Sequence, residues 1–128
     1  KEKGAKRAIM LPVSAPFHSA MMQPAGEIMR EALSNIEMRV PIVPVVSNVS
    51  VSPSTDPVAI KNQLVEQVCG RVRWRESILY MKSQGIDQII EMGFGKVLTG
   101  MVRRIDQTLS AINVGETDEI KIMVEKMG

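Results

Sequence analysis

The chain has 128 residues, of which 45% are apolar and 23% are charged, a balance typical of one globular domain with its own core. Sixteen basic and 14 acidic residues give a net charge of +2, which is too even for binding nucleic acid through overall charge. One cysteine excludes an internal disulfide, and no apolar run approaches the roughly 18 residues of a membrane-spanning helix. The expected compartment is therefore a reducing cytoplasm.

The first half of the chain alternates between the patterns of strands and helices. A compact apolar stretch at residues 8–11 predicts a short strand that enters a loop at Ala15-Pro16. Apolar residues then recur every three or four positions, which predicts an amphipathic helix over residues 19–36. The β-branched run at residues 42–46 predicts a strand buried on both faces, and residues 52–55 predict a loop.

The second half continues this alternation. Asp56-Pro57 supplies an N-cap acceptor and a first-turn proline, and the helix that begins there is predicted to end at Gly70. Three more helices alternate with two buried strands, in the order 74–84, 87–92, 96–105, 109–114 and 117–127. The order predicts an α/β fold with a parallel sheet and helices on both of its faces.

His18 is the only histidine, and it stands between the first predicted strand and the long helix. Taken alone, such a histidine is more often a surface or packing residue than a catalytic one. The positive end of the following helix would nevertheless disfavour imidazolium, and a neutral ring with one free nitrogen can act as a general base. No G-x-S-x-G nucleophile elbow occurs, and Ser14, Ser19 and Cys69 are poor nucleophile candidates, so a serine for this base would lie outside the chain.

Two other segments could bind anions. The turn at residues 93–96 could gather backbone amides, but it lacks the rest of a P-loop or dinucleotide motif, so a tight strand-to-helix turn is the favoured interpretation. Arg71, Arg73 and Arg75 alternate around Trp74, a pattern that could serve nucleic acid or another acidic partner. A charged loop anchored by one tryptophan is the simpler interpretation. No spacing typical of a metal site is present.

Five short segments are individually weak signals but specific as an ordered set. They lie at residues 11–18, 43–49, 64–67, 72–77 and 91–100, and the first contains Ala15-Pro16-Phe17-His18. Together they resemble the bacterial malonyl-CoA:acyl carrier protein transacylases, over about residues 7 to 105. The resemblance implies the C-terminal part of an α/β-hydrolase-like core at residues 15–128. Residues 1–14 would be the end of a small inserted subdomain, or a strand that returns to the core.

The resemblance also implies a reaction and roles for three residues. A malonyl group would pass from coenzyme A to the phosphopantetheine thiol of acyl carrier protein through a seryl ester. His18 matches the general base, and Gln67 matches the residue whose main-chain carbonyl accepts a hydrogen bond from the other ring nitrogen. Phe17 matches a position associated with malonyl rather than methylmalonyl substrates, although its ring could equally seat the loop.

Three features of the family match nothing in this chain. These are the serine elbow, the arginine that pairs with the malonyl carboxylate and part of the oxyanion hole, all of which belong to the family's N-terminal portion. We therefore expect a C-terminal segment that is inactive alone, from a protein of fatty acid or polyketide synthesis. The expected partners are acyl carrier protein, malonyl-CoA as substrate and the missing N-terminal half, with no nucleic acid, membrane, metal or bound cofactor. The alternative is a non-catalytic module of the same fold that binds acyl carrier protein or another protein.

Overall fold

The secondary structure of the chain follows the predicted order from residue 56 onward. A computed structural model describes Gly4 and residues 9–10 and 12–127. In chain order these residues form a 3₁₀-helix at Ala20–Met22, α1 at Gln23–Ser34, β1 at Val45–Val46, β2 at Pro53–Ser54, α2 at Pro57–Cys69, α3 at Trp74–Ser83, β3 at Gln88–Met92, α4 at Val97–Ile105, β4 at Ser110–Val114 and α5 at Thr117–Met127. Each predicted helix after residue 56 is present, and its ends agree with the prediction to within one residue.

A β–α–β unit at residues 88–114 contains three of the four buried residues of the core cluster. β3 and β4 pair in parallel, from Gln88 opposite Ser110 to Met92 opposite Val114, and α4 connects them and packs against both strands. The core beside this unit consists of four buried side chains, with partly buried apolar residues around them: Ile78, Val102, Leu109 and Ala111, surrounded by Trp74, Met81, Ile89 and Ile105. The predicted α/β fold with a parallel sheet is confirmed.

The predicted buried strand at residues 42–46 is wrong in length and in partner. Only Val45–Val46 is a strand, and it pairs antiparallel with Pro53–Ser54, inside the segment predicted as a loop. Pro44 and Pro53 have no amide hydrogen to donate, which limits the ladder to this short pair. Ile42 is fully exposed at 102%, because no strand among the described residues covers it.

Three other predictions need correction or stay open. α1 begins at Gln23 after a 3₁₀ turn and not at residue 19, because Pro24 suits only the first turn of a helix. Ile120 and Val124 of α5 are exposed although their spacing predicts burial, since periodicity identifies an apolar face but not a surface that covers it. Ile9 and Met10 carry no strand, and the rest of the strand predicted at 8–11 lies outside the described residues.

Polar contacts join the two halves of the chain. The backbone amide of Arg73 donates to the carbonyl of Asn48 at 3.0 Å, and the buried hydroxyl of Ser77 donates to the Asn48 side-chain oxygen at 3.2 Å. These bonds attach the turn between β1 and β2 to the first turn of α3. Over the part of the chain that the structure describes, no helix is both long and apolar enough to cross a membrane.

Candidate active site

The loop before the 3₁₀-helix presents His18 in an unusual backbone conformation. Its φ angle is 58°, in the left-handed region that histidine adopts more readily than most side chains. The hydroxyl of Ser19 donates to the Pro16 carbonyl at 2.8 Å, and the amide of Met22 donates to the Ser19 carbonyl at 3.0 Å. Local hydrogen bonds thus hold the histidine at the tip of the loop, where its side chain is exposed.

The end of α2 supplies a free backbone carbonyl close to this loop. The helix ends at Cys69, and the amide of Gly70 donates to the Glu66 carbonyl at 2.8 Å. The chain then leaves in an extended conformation, with Gly70 at φ −78° and ψ 151°. Carbonyl groups in the last turn of a helix have no partner within the helix, and the Gln67 carbonyl is one of them.

These two features meet in one hydrogen bond. Nδ1 of His18 lies 2.8 Å from the main-chain oxygen of Gln67, which is 49 positions further along the chain. Because a carbonyl oxygen can only accept, Nδ1 must carry the hydrogen. In the neutral ring Nε2 is then an unprotonated acceptor, and it makes no hydrogen bond within the described ranges.

Close packing of α1 on α2 brings the loop to the helix end. Gly26 is buried, and a Cβ added there would lie 4.0 Å from Sγ of Cys69, so the two helices approach closely at this point. The Cys69 thiol donates to Oε1 of Gln23 at 3.7 Å, which links the start of α1 to the end of α2. The register of these helices therefore fixes how far His18 stands from Gln67.

Phe17 stands beside the histidine, with more than half of its surface exposed. Its ring centroid lies 6.5 Å from that of His18, with the two planes inclined by 46°. The side chain is 58% exposed, so most of its apolar surface is uncovered. The loop is held by the hydrogen bonds described above, and the phenyl ring remains open to contacts beside the imidazole.

No family model matches the chain. The malonyl CoA-acyl carrier protein transacylase of Bacillus subtilis is 42% identical over 127 residues, which are 99% of this chain and 40% of the relative. A crystal structure of acyl-carrier-protein-S-malonyltransferase from Bartonella henselae is 51% identical, with a TM-score of 0.90, and covers 99% of this chain and 40% of the other. The chain is homologous to the malonyl CoA-acyl carrier protein transacylases.

A further solved structure is similar and contains a second protein. It shows a malonyl-transacylase in complex with a type II PKS acyl-carrier protein, and is 42% identical with a TM-score of 0.87. The match extends over 98% of this chain and over 40% of the chain of that malonyl-transacylase. The chain thus spans about 40% of the length of these transacylases and matches their C-terminal segment.

Glu91 lies in the segment at residues 91–100 that resembles the transacylases, and its contacts were not predicted from the sequence. Its carboxylate accepts hydrogen bonds from the amides of Leu98 and Thr99, at 3.1 and 2.8 Å, and from the Thr99 hydroxyl at 2.6 Å. The hydroxyl bond, followed by the amide bonds, lowers the pKa of Glu91. The first amides of α4 are therefore occupied by the protein's own carboxylate, which supports the interpretation of residues 93–96 as a turn.

Two of the three arginines in the basic cluster at residues 71–75 have an acidic partner within the chain. Trp74 is partly buried and packs against the core cluster. Arg71 and Arg73 both approach one carboxylate oxygen of Glu76, at 3.8 and 3.6 Å. A charged loop anchored by tryptophan describes these contacts. Among the residues that the structure describes, no three acidic, histidine or cysteine side chains are grouped to hold a metal.

Proposed function

We propose that this chain supplies the histidine base of a malonyl-CoA:acyl carrier protein transacylase whose serine lies in a further, N-terminal part of the protein. The observation that carries the proposal is the hydrogen bond of 2.8 Å between Nδ1 of His18 and the Gln67 carbonyl. It leaves Nε2 as the nitrogen that can take a proton, which is the requirement for a general base.

The proposed reaction has two half-reactions. Nε2 of His18 takes the serine proton as the serine oxygen attacks the malonyl thioester carbonyl, and the imidazolium then protonates the departing thiolate of coenzyme A. In the second half-reaction Nε2 takes the proton of the phosphopantetheine thiol, whose sulfur attacks the carbonyl of the seryl ester. As the bond between that carbonyl and the serine oxygen breaks, the imidazolium returns the proton to the serine oxygen, which restores the hydroxyl and the neutral ring. The carbonyl of Gln67 keeps the ring oriented in both steps without adding a negative charge.

Phe17 is proposed to contact the malonyl group. Its ring is exposed directly beside the imidazole, where it could crowd a methyl substituent on C2 of the substrate. Discrimination of one methyl group by such crowding is usually about 1–3 kcal/mol, so the preference for malonyl would be partial. The proposed reaction uses no metal and no bound cofactor, and malonyl-CoA takes part in it as a substrate.

Exposed apolar side chains support the proposal that more polypeptide covers this chain. Ile42 is 102% exposed and Phe94 is 91% exposed, and further large apolar side chains of the chain are also exposed. Where exposed apolar side chains form a large contiguous patch, the patch usually marks a contact with another surface. We assign that role to the serine-bearing part, and we propose the carrier protein as the partner in a cytoplasmic pathway.

A chimera tests the function. The upstream part of the Bacillus subtilis relative, joined to this chain in place of its own matching segment, should transfer malonyl groups from malonyl-CoA to the carrier protein. The 128-residue chain alone should not. His18→Ala in the chimera should lower the rate by about 10²–10⁴-fold, as is usual when a general base is lost.

Gly100→Ala is the matched control, because a Cβ added at Gly100 meets no atom within 4 Å. Its rate should equal that of the unmodified chimera. A folded chimera that transfers malonyl equally fast with and without His18 would remove the residue from the mechanism. A folded chimera with no transfer at all would favour a non-catalytic binding module.

A further inference from the structure

The glycine after α2 is required for space and not for its backbone angles. Any residue can adopt φ −78° and ψ 151°, the angles of Gly70. A Cβ added there, however, would lie 2.8 Å from the carbonyl oxygen of Glu66 and 3.2 Å from Cγ2 of Val49. The first distance is too short for a real contact, so the end of α2 or residue 70 itself would have to move. The second distance is tight, so the neighbouring turn would also have to give by a few tenths of an ångström.

The neighbouring turn is poorly able to move. Val51 in that turn has a φ angle of 58°, a rare value for a β-branched residue, and its amide donates to the Ser47 carbonyl at 2.8 Å. Asn48, next to Val49, is bonded to α3 through the Arg73 amide and the Ser77 hydroxyl. An added side chain at position 70 would therefore displace the Glu66 carbonyl, which belongs to the peptide group that precedes Gln67.

The side chain of Gln67 reinforces the same turn. Its Nε2 donates to the main-chain carbonyl of Gly70 at 3.2 Å, so one residue both accepts from His18 through its backbone and bonds to the extended segment through its carboxamide. This bond spans the point at which α2 ends. It limits rotation of the last helical peptides, and with it the direction in which the Gln67 carbonyl points.

We propose that Gly70 and the Gln67 carboxamide are positioning residues, which aim the Gln67 carbonyl at Nδ1 and thereby select the tautomer of His18. The catalytic meaning of this device rests on the proposed function, whereas the tautomer itself can be measured without it. Neither residue touches the substrate in this scheme. Each acts only through the carbonyl that holds the ring.

Nitrogen-15 NMR of the 128-residue chain tests the device, because its single histidine gives one pair of ring signals. In the unmodified chain the neutral ring should carry its hydrogen on Nδ1. Gln67→Met, which cannot donate to Gly70, should lower the ratio of the Nδ1–H to the Nε2–H tautomer by about 3–10-fold, the effect of weakening one hydrogen bond. Gly70→Ala should abolish the Nδ1–H preference.

Gln63→Met is the matched control. Gln63 lies one helical turn before Gln67 on α2, and its Oε1 is likewise buried without a partner in the described ranges, but it makes no bond to Gly70. Its replacement should leave the tautomer ratio unchanged. If Gly70→Ala loses helical content by circular dichroism, Gln67→Met decides the question.

An unchanged ratio in folded Gln67→Met would overturn the proposal, and so would an equal change in Gln63→Met. These outcomes are distinct from failure of the proposed function. That failure would appear as malonyl transfer independent of His18 in the chimera, whatever the tautomer is. Conversely, the tautomer ratio can respond to Gln67→Met in a chain that takes no part in catalysis.

Discussion

The region around His18 and the β–α–β core are held together by different means. In the core, Ile78 and Val102 have no exposed surface, and apolar contacts surround them. At the candidate site the imidazole is exposed, and its position depends on a hydrogen bond to a helix end and on a glycine that leaves room for it. The comparison shows that this chain separates the residues that stabilise its fold from those that orient its reactive ring.

The largest expected effect is a loss of stability from the core. Ile78→Ala should lower the free energy of unfolding by about 2–5 kcal/mol, because the deleted methyl groups leave a cavity in a closely packed cluster. Urea unfolding followed by circular dichroism measures this change. Ile122→Ala on α5 is the control, since that side chain is 51% exposed and should change the midpoint little. Equal effects of the two changes would show that the cluster is not the core.

A smaller, pH-dependent effect on stability is expected at the ion pair between Lys82 and Asp106. Lys82 donates to Asp106 and to the Thr108 hydroxyl, and Asp106 also accepts from the Thr108 amide at 2.9 Å and hydroxyl at 2.6 Å. The hydrogen bond from Lys82, followed by those from Thr108, lowers the pKa of Asp106 from its ordinary 3.8 to about 2. The folded state therefore favours the ionised carboxylate.

The sign of the pH dependence follows from that lowered pKa. The contribution of Asp106 to stability should be complete above pH 3.8, decline as the pH falls toward 2 and be absent below it. Asp106→Asn should thus lower the urea midpoint at pH 5, and this difference should become much smaller near pH 2. Asp118→Asn, which removes an exposed ion pair with Lys121, should have the smaller effect at pH 5. A constant Asp106→Asn difference across this range would contradict the account.

Sequence patterns predicted those elements whose signals are local. Asp56 was expected to cap α2, and its carboxylate accepts from the Val58 amide at 2.9 Å. The helices after it agree because caps, prolines and three- to four-residue spacing act within one or two turns. The strand at residues 42–46 and the buried face of α5 were wrong, since pairing and burial depend on surfaces elsewhere in the protein.

The candidate site likewise contains residues that the sequence identified and contacts that it did not predict. The five motifs identified His18 and Gln67 as a pair, although nothing in their local patterns joins two residues 49 positions apart. Gly70 was predicted as a helix stop, but the contact that excludes a side chain there involves Val49 from another turn. Glu91 was missed because its role depends on amides that follow it by seven and eight positions.

The central claim is that this chain alone fixes the ring of His18 with Nδ1 protonated and Nε2 free. Nitrogen-15 NMR of the unmodified chain, at a pH where the ring is neutral, tests it most directly. The account predicts ring nitrogen shifts of one dominant Nδ1–H tautomer, which change to averaged values when urea unfolds the chain. A dominant Nε2–H tautomer in the folded chain, or shifts that are identical in the folded and unfolded states, would contradict it.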